Sequence, residues 1–194
     1  MSTDRKQELI HLAIQMISER GYDSFSFADL ARLSGITKAS IHHHFATKTD
    51  LGMACLDYMQ AVMREMLVIL SKMSAKNAIV AILKEAQHFP WQGRICTLTS
   101  LHAEFNVLPE VLQQRLQAIT VFEEQQITAL LQRYVDERGQ PLALSVATAA
   151  RLLISSTKGA MLYGRTQKID WTPEVVMGVF AVLGVDISNK ESRL

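Results

Sequence analysis

The chain has 194 residues, of which 48% are hydrophobic, and its formal net charge is +1. A chain of this length buries roughly 70% of its unfolded surface, enough for one large domain or for a small domain joined to a larger one. The balanced charge excludes a wholly polybasic or acidic binder, and no apolar run approaches the ~20 residues of a membrane span.

Apolar residues recur at helical spacing along nearly the whole sequence, and hairpin signals are absent, so we predict an all-α protein. The first predicted helix ends at Gly21, and a short second helix starts at Ser26 and Asp29. A short third helix is capped by Thr37 and reaches Phe45. A long fourth helix starts at Thr47 and Asp50 and runs to about residue 72. Five further helical patterns follow, at residues 75–88, 94–105, 110–137, 143–164 and 173–184.

Residues 27–46 carry the spacing of a helix-turn-helix. Ala31 is small enough to let a second helix cross closely, Gly35 suits a left-handed turn, and Ile41 can fill the angle between the two helices. In this motif the second helix enters the major groove of DNA. The alternative is an ordinary helical hairpin.

The charges around this motif favour DNA binding. Residues 1–50 contain six basic and six acidic residues, but residues 30–49 contain three basic residues and no acidic one. Lys38 and Lys48 fall in the first turns of their helices, where a cation opposes the helix dipole at a cost of roughly 0.3–1 kcal/mol. A phosphate at each helix start would remove this misfit. The alternative is that Lys38 and Lys48 are ordinary solvated lysines.

Three adjacent histidines, His42, His43 and His44, resemble a metal site at first sight. Neighbours on a helix do not face one another, and a helical chelate needs the i, i+4 spacing. We therefore expect His42 and His43 to point outward, toward phosphates or base edges, and His44 to pack near Phe45. We predict no metal ion and no cofactor.

The stretch GYDSFSFADLARLSGITKASIHHHFATKTDL, within residues 8–55, resembles the TetR family of bacterial one-component transcriptional regulators. The family pattern is a helix, Gly-aromatic, a capped second helix, Ala and Gly at the turn, and a recognition helix ending Tyr-x-His-Phe, followed by Lys and Asp/Glu-Leu. The matching positions are Ser26, Asp29, Ala31, Gly35, Lys38, His44, Phe45, Lys48 and Leu51. The chain departs from the pattern at His42, where the family has a tyrosine.

The resemblance implies a ligand-responsive regulator, most often a repressor released from its operator by a small-molecule effector, and activation is the alternative that the sequence leaves open. The implied domains are a DNA-binding head at 1–50, a helical effector-binding and dimerisation domain at 51–187, and a polar tail at 188–194. The implied partners are a near-palindromic double-stranded operator and a second copy of the chain, with no membrane. The implied DNA contacts are Ser26, Thr37, Lys38, Ala39, Ser40, His42, His43 and Lys48.

Small residues in the predicted helix at 143–164 indicate a dimer interface, because they let two helix backbones approach closely. Together with the apolar helix at 173–184 they predict a four-helix interface built from two copies of each helix. The candidates are Ser155, Ser156, Gly159, Ala160, Val176 and Phe180. The alternative is packing within one subunit.

The segment 94–105 mixes polar residues into an apolar helix and resembles the Gly-Cys-x-Leu-x-x-Leu-x-x-Glu stretch of one subset of the family, with Ile95 in place of the glycine. Some of these relatives sense electrophiles through a cysteine, whereas a free cysteine is more often a small buried residue. We predict an apolar effector pocket lined by Phe89, Trp91, Cys96, His102, Phe105, Met161 and Tyr163. The alternative is that the aromatic and methionine side chains are plain core.

Two other functions compete with this interpretation. An enzyme with His/Glu acid–base chemistry is disfavoured, because His102 and Glu104 diverge on a helix and no nucleophile–base spacing, phosphate loop or metal motif is present. A constitutive DNA-binding protein is modestly disfavoured by the length of the second domain. The absence of CxxC spacing and of a signal-peptide pattern favours a reducing cytoplasm.

Overall fold

A computed structural model describes residues 2–88 and 94–185. These residues form α-helices and one short 3₁₀ turn, Phe105–Val107, with no β-strand among them, which confirms the all-α prediction. The helices are α1 (Ser2–Arg20), α2 (Phe27–Ser34), α3 (Lys38–His44), α4 (Lys48–Leu70), α5 (Ala75–His88), α6 (Thr97–Ala103), α7 (Glu110–Arg138), α8 (Val146–Gln167) and α9 (Thr172–Leu183). None of the helices in these two ranges is long and apolar enough to cross a membrane.

The predicted helix at 94–105 differs most from the structure. Its α-helical part is only Thr97–Ala103, because the backbone at Glu104 (φ −98°, ψ 9°) leaves the helix and turns into the 3₁₀ segment. Helix α8 begins later than predicted because Ser145 is its cap, accepting a hydrogen bond from the Thr148 backbone N–H. It extends to Gln167, where Lys168 closes it in the left-handed conformation.

The described part of the chain separates into two compact units. One contains residues 2–65 and 94–121, and the other contains residues 66–88 and 122–185. Compactness therefore groups α6 with the N-terminal helices, and α4 and α7 contribute residues to both units. The predicted functional boundary at residue 50 stays a prediction.

The first unit is built around one apolar core that joins α1, α2 and α3 to α4, α6 and α7. Its fully buried side chains include Leu9, Ile17, Leu30, Ile41, Leu51 and Leu116. Buried hydrogen bonds attach α6 to α1: the hydroxyls of Ser18 and Thr97 are 2.6 Å apart, and the Ser100 hydroxyl donates to the Ile17 carbonyl at 2.8 Å. Helix α6 is thus held to α1 by polar as well as apolar contacts.

The second unit packs α8 against α9 around an apolar core of its own. Its buried side chains include Ile79, Leu83, Leu131, Val176 and Leu183. At Gly164 an added Cβ would overlap the Ile169 carbonyl oxygen, so the turn between α8 and α9 requires glycine there.

Candidate nucleic-acid interface

Helix α2 begins and ends as its sequence predicts. The Ser26 hydroxyl accepts from the Asp29 N–H at 3.3 Å, and the Asp29 carboxylate accepts from the Ser26 N–H at 3.0 Å, which forms a capping box. The hydrogen bonds from Ser26 lower the pKa of Asp29. Gly35 ends the helix at φ 69°, in the left-handed region. The chain is thereby turned into α3.

Helix α3 buries one side chain and exposes its first turn. Thr37 caps it, accepting from the Ser40 N–H at 3.1 Å, and the two hydroxyls lie 2.9 Å apart. Ile41 is fully buried, as predicted. Lys38, Ala39 and Ser40 are exposed, so the start of α3 presents a small, basic, polar surface without an acidic side chain.

The three histidines have different environments. The ring of His42 lies edge-on to Phe27, with centroids 5.0 Å apart, and its Nδ1 is 3.1 Å from the Ala46 carbonyl oxygen. His43 is exposed, whereas His44 is half-buried. Among the described residues no group of three His, Cys, Asp or Glu side chains could hold a metal ion. His42 is exposed but fixed in orientation, a suitable arrangement for a contact with a phosphate.

Lys48 lies against the loop between α1 and α2. Its ammonium is 4.5 Å from the centroid of the Tyr22 ring and 4.7 Å from that of Phe25, and it donates to the Asp23 carbonyl oxygen at 3.3 Å. Partial burial lowers the pKa of Lys48, and the negative charges of Asp23 and Glu104 partly offset that shift. These cation–π contacts stabilise a cation at the start of α4 that the helix dipole disfavours.

Sequence reasoning missed the role of Glu104. Its Oε2 accepts from the backbone N–H of Tyr22 at 2.6 Å and from that of Asp23 at 3.4 Å. In the sequence, Glu104 matches the family-like stretch around Cys96, but this match does not show which groups Glu104 contacts. The loop that leads into α2 is thus bound from α6 as well as from α4.

The predicted pocket residues fall in different units, and Phe89 and Trp91 lie outside the described residues. In the first unit, Cys96 is the half-buried cap residue of α6, Phe105 is half-buried, and His102 Nε2 is 2.7 Å from the Thr120 hydroxyl. In the second unit, Met161 is buried, and Tyr163 is 66% exposed and stacks on Trp171. The effector pocket stays a prediction.

The predicted interface residues differ in exposure, and the interface stays a prediction. Ala160, Val176 and Phe180 are 3%, 0% and 4% exposed in a single chain, so they form the core of the second unit. They alternate along α8 and α9 with the exposed apolar residues Leu162, Met177 and Val182. Ser155 is exposed and Ser156 is half-buried, and an added Cβ at Gly159 would meet no atom within 4 Å.

Comparisons with known proteins agree with this geometry. Residues 9–55 match the model of the bacterial regulatory proteins of the tetR family. IcaR of Staphylococcus aureus, a helix-turn-helix negative transcriptional regulator of a biofilm operon, is 34% identical over 61 residues. That alignment covers 29% of this chain, and the chain spans only about a third (33%) of the length of IcaR.

Solved structures resemble the chain over nearly its whole length. A TetR transcriptional regulator from Legionella pneumophila shares 25% identity at a TM-score of 0.77, covering 92% of this chain and 96% of the other. A TetR-family regulator from Agrobacterium tumefaciens shares 25% identity at a TM-score of 0.78, covering 94% and 95%. The likeness therefore extends well beyond the helix-turn-helix.

Proposed function

We propose that the chain is a member of the TetR family of bacterial regulatory proteins and acts as a cytoplasmic DNA-binding transcriptional regulator, a repressor released from its operator by a small molecule. The observation that carries the proposal is the first turn of α3, where Lys38, Ala39 and Ser40 are exposed above the buried Ile41. The relatives named above are transcriptional regulators, not enzymes.

In this proposal α3 enters the major groove of the operator. Lys38 and Ser40 reach base edges or phosphates, and the small side chain of Ala39 lets the helix lie close to the bases. Phosphate contacts surround this region and fix the register of the protein without reading sequence. The residues that provide them are Ser26, Thr37, His42, His43 and Lys48.

The regulator acts as a homodimer on a near-palindromic operator, because a two-fold protein reads two half-sites related by the same symmetry. What supports the dimer is that α8 and α9 expose the apolar residues Leu162, Met177 and Val182 and also carry Gly159 and Gly178, where an added Cβ would meet no atom within 4 Å. An apolar surface with open space around its glycines suits close packing against a second copy.

Release requires an effector that binds better to a conformation in which the two recognition helices are wrongly spaced for the operator. A difference in affinity of about 1–3 kcal/mol would lower operator binding by about 5- to 150-fold. Cys96, His102 and Phe105, all in the first unit, remain candidate effector contacts, since an apolar site with a few polar groups is the common form of such pockets.

The test is selection of genomic fragments by the purified protein, followed by sequencing. We expect enrichment of a near-palindrome. On that operator, Lys48→Ala should weaken binding about equally across sequence variants and reduce the slope of log affinity against log salt by about 0.9, because one phosphate contact is lost.

Lys72→Ala is the matched control, since Lys72 is an exposed lysine of the second unit. It should leave both the affinity and the salt slope unchanged. If no fragment is enriched, the proposed function is wrong. If Lys48→Ala keeps the wild-type slope, Lys48 does not contact a phosphate.

The two cysteines predict how a thiol-reactive effector would act. Burial raises the pKa of the Cys55 thiol to about 12, and its sulfur lies 3.8 Å from the Ile10 carbonyl oxygen, so the reactive thiolate is scarce and covered. Cys96 is half-buried. In the native protein N-ethylmaleimide should label Cys96 before Cys55, as measured by mass spectrometry of peptides.

If electrophiles are the effectors, Cys96→Ser should abolish their effect on operator binding and leave operator affinity intact. Labelling of both thiols only after denaturation would show that Cys96 is covered as well. A Cys96→Ser variant that still responds to electrophiles would exclude thiol sensing at this position.

A further inference from the structure

Two charged side chains, Glu104 and Lys48, hold the loop between α1 and α2, residues 21–26. Glu104 accepts hydrogen bonds from the Tyr22 and Asp23 N–H groups at 2.6 and 3.4 Å. Lys48 donates to the Asp23 carbonyl oxygen at 3.3 Å and covers the Tyr22 ring. One peptide segment therefore joins the acidic end of α6 to the basic start of α4.

This loop determines where two of the proposed DNA contacts lie. It ends at Ser26, the cap of α2, and its Tyr22 and Phe25 rings hold the Lys48 ammonium. A loop free to move would release both contacts, so the hydrogen bonds that the loop N–H groups donate to Glu104 limit the motion of groups that must meet phosphates together.

The site is shaped to take a carboxylate. Gly21 adopts φ 92°, and a Cβ at this position would overlap Glu104 Oε1 and lie 2.8 Å from Glu104 Cδ. The glycine therefore lets the carboxylate reach the two N–H groups that follow the end of α1, where a negative charge would otherwise be disfavoured by the helix dipole.

We propose that Glu104 is a positioning residue for operator binding: it orders the α1–α2 loop through the Tyr22 and Asp23 N–H groups and so fixes Ser26 and Lys48 for the DNA backbone. This inference rests on the proposed function. It does not require Glu104 to touch DNA.

Whether operator affinity rises or falls when the Glu104 contact is removed distinguishes a positioning role from an effect of the negative charge. A carboxylate close to Lys48 lowers the local positive potential, so its removal would strengthen binding to phosphates if charge were its only effect. Positioning predicts the opposite, because a disordered loop weakens binding whatever the charge.

Two variants separate these effects. Glu104→Gln keeps the length and one oxygen acceptor but loses the charge, whereas Glu104→Asp keeps the charge but shortens the reach by one methylene. Glu110→Ala is the control, since Glu110 is an exposed carboxylate of the same unit that bonds only locally to Gln114 in the described contacts. Each is compared with wild type on the selected operator and by hydrogen exchange of the Tyr22 amide in the free protein.

We expect Glu104→Asp to bind the operator about ten-fold more weakly, the loss appropriate to a hydrogen bond with a charged acceptor, and to reduce the slope of log affinity against log salt toward that of Lys48→Ala, because the Lys48 contact is weakened. Glu104→Gln should remain within about three-fold of wild type, and Tyr22 exchange should be faster in the aspartate variant. Wild-type affinity or tighter binding in Glu104→Asp, or an equal loss in both variants, would overturn the proposal. Failure of the wild type to bind any operator would instead refute the proposed function, and the Tyr22 exchange would still test the loop contact.

Discussion

Met177→Asp is expected to convert the protein to a monomer and to weaken operator binding by about 100-fold or more. Met177 is 50% exposed on α9 and belongs, with Leu162 and Val182, to the proposed dimer surface. Aspartate in a buried interface would be an unpaired charge, which costs several kcal/mol. A monomer engages one half-site at a time and loses the gain in effective concentration that links two half-sites.

Sedimentation measures the oligomeric state, and a titration with a full operator and with a single half-site measures the loss of affinity. Val121→Asp is the matched control, because Val121 is 49% exposed on a helix and lies outside the proposed surface. It should remain dimeric. A Met177→Asp protein that is as dimeric as wild type would place the interface elsewhere on the molecule.

The sequence predicted the helix-turn-helix well because its signals are local. The Ser26–Asp29 box, the Gly35 turn and the Thr37 cap depend on residues no more than a few positions apart, and each is present as expected. A cap or a left-handed turn is determined by the chemistry of its own segment. Such features can be read before any tertiary structure is known.

The exposed residues of the proposed dimer surface could not be read in the same way. Val176 and Met177 are adjacent and both apolar, but one is fully buried in its own chain and the other is 50% exposed. Helical periodicity identifies an apolar face without saying whether the same chain or a second copy covers it. On a helix that is apolar nearly all round, composition alone does not separate the two faces.

Contacts that are distant in sequence escaped prediction for a related reason. Glu104 bonds to an N–H group 82 positions earlier, and Lys48 bonds to a carbonyl 25 positions earlier. The loop that both side chains hold has no pattern of its own beyond Gly-aromatic. Its importance follows only from the packing that brings α6 and α4 to it.

Gly21→Ala is expected to lower the free energy of unfolding by about 3 kcal/mol, through two separate costs. An L-residue in the left-handed region costs roughly 1–2 kcal/mol, and Gly21 has φ 92°. The added Cβ would also overlap Glu104 Oε1, so the carboxylate must leave the Tyr22 N–H, a hydrogen bond to a charged group that contributes about 1.5–3 kcal/mol. Urea unfolding at a fixed protein concentration measures the sum.

Gly139→Ala isolates the first cost, because Gly139 has φ 70° at the end of α7 and an added Cβ there would meet no atom within 4 Å. It should lose only about 1–2 kcal/mol. In a Glu104→Ala background the overlap no longer exists, so Gly21→Ala should cost about as much as Gly139→Ala, and the two changes should be less than additive. Full additivity would mean that Gly21 and Glu104 act independently, and the close approach of the carboxylate to this turn would then contribute nothing to stability.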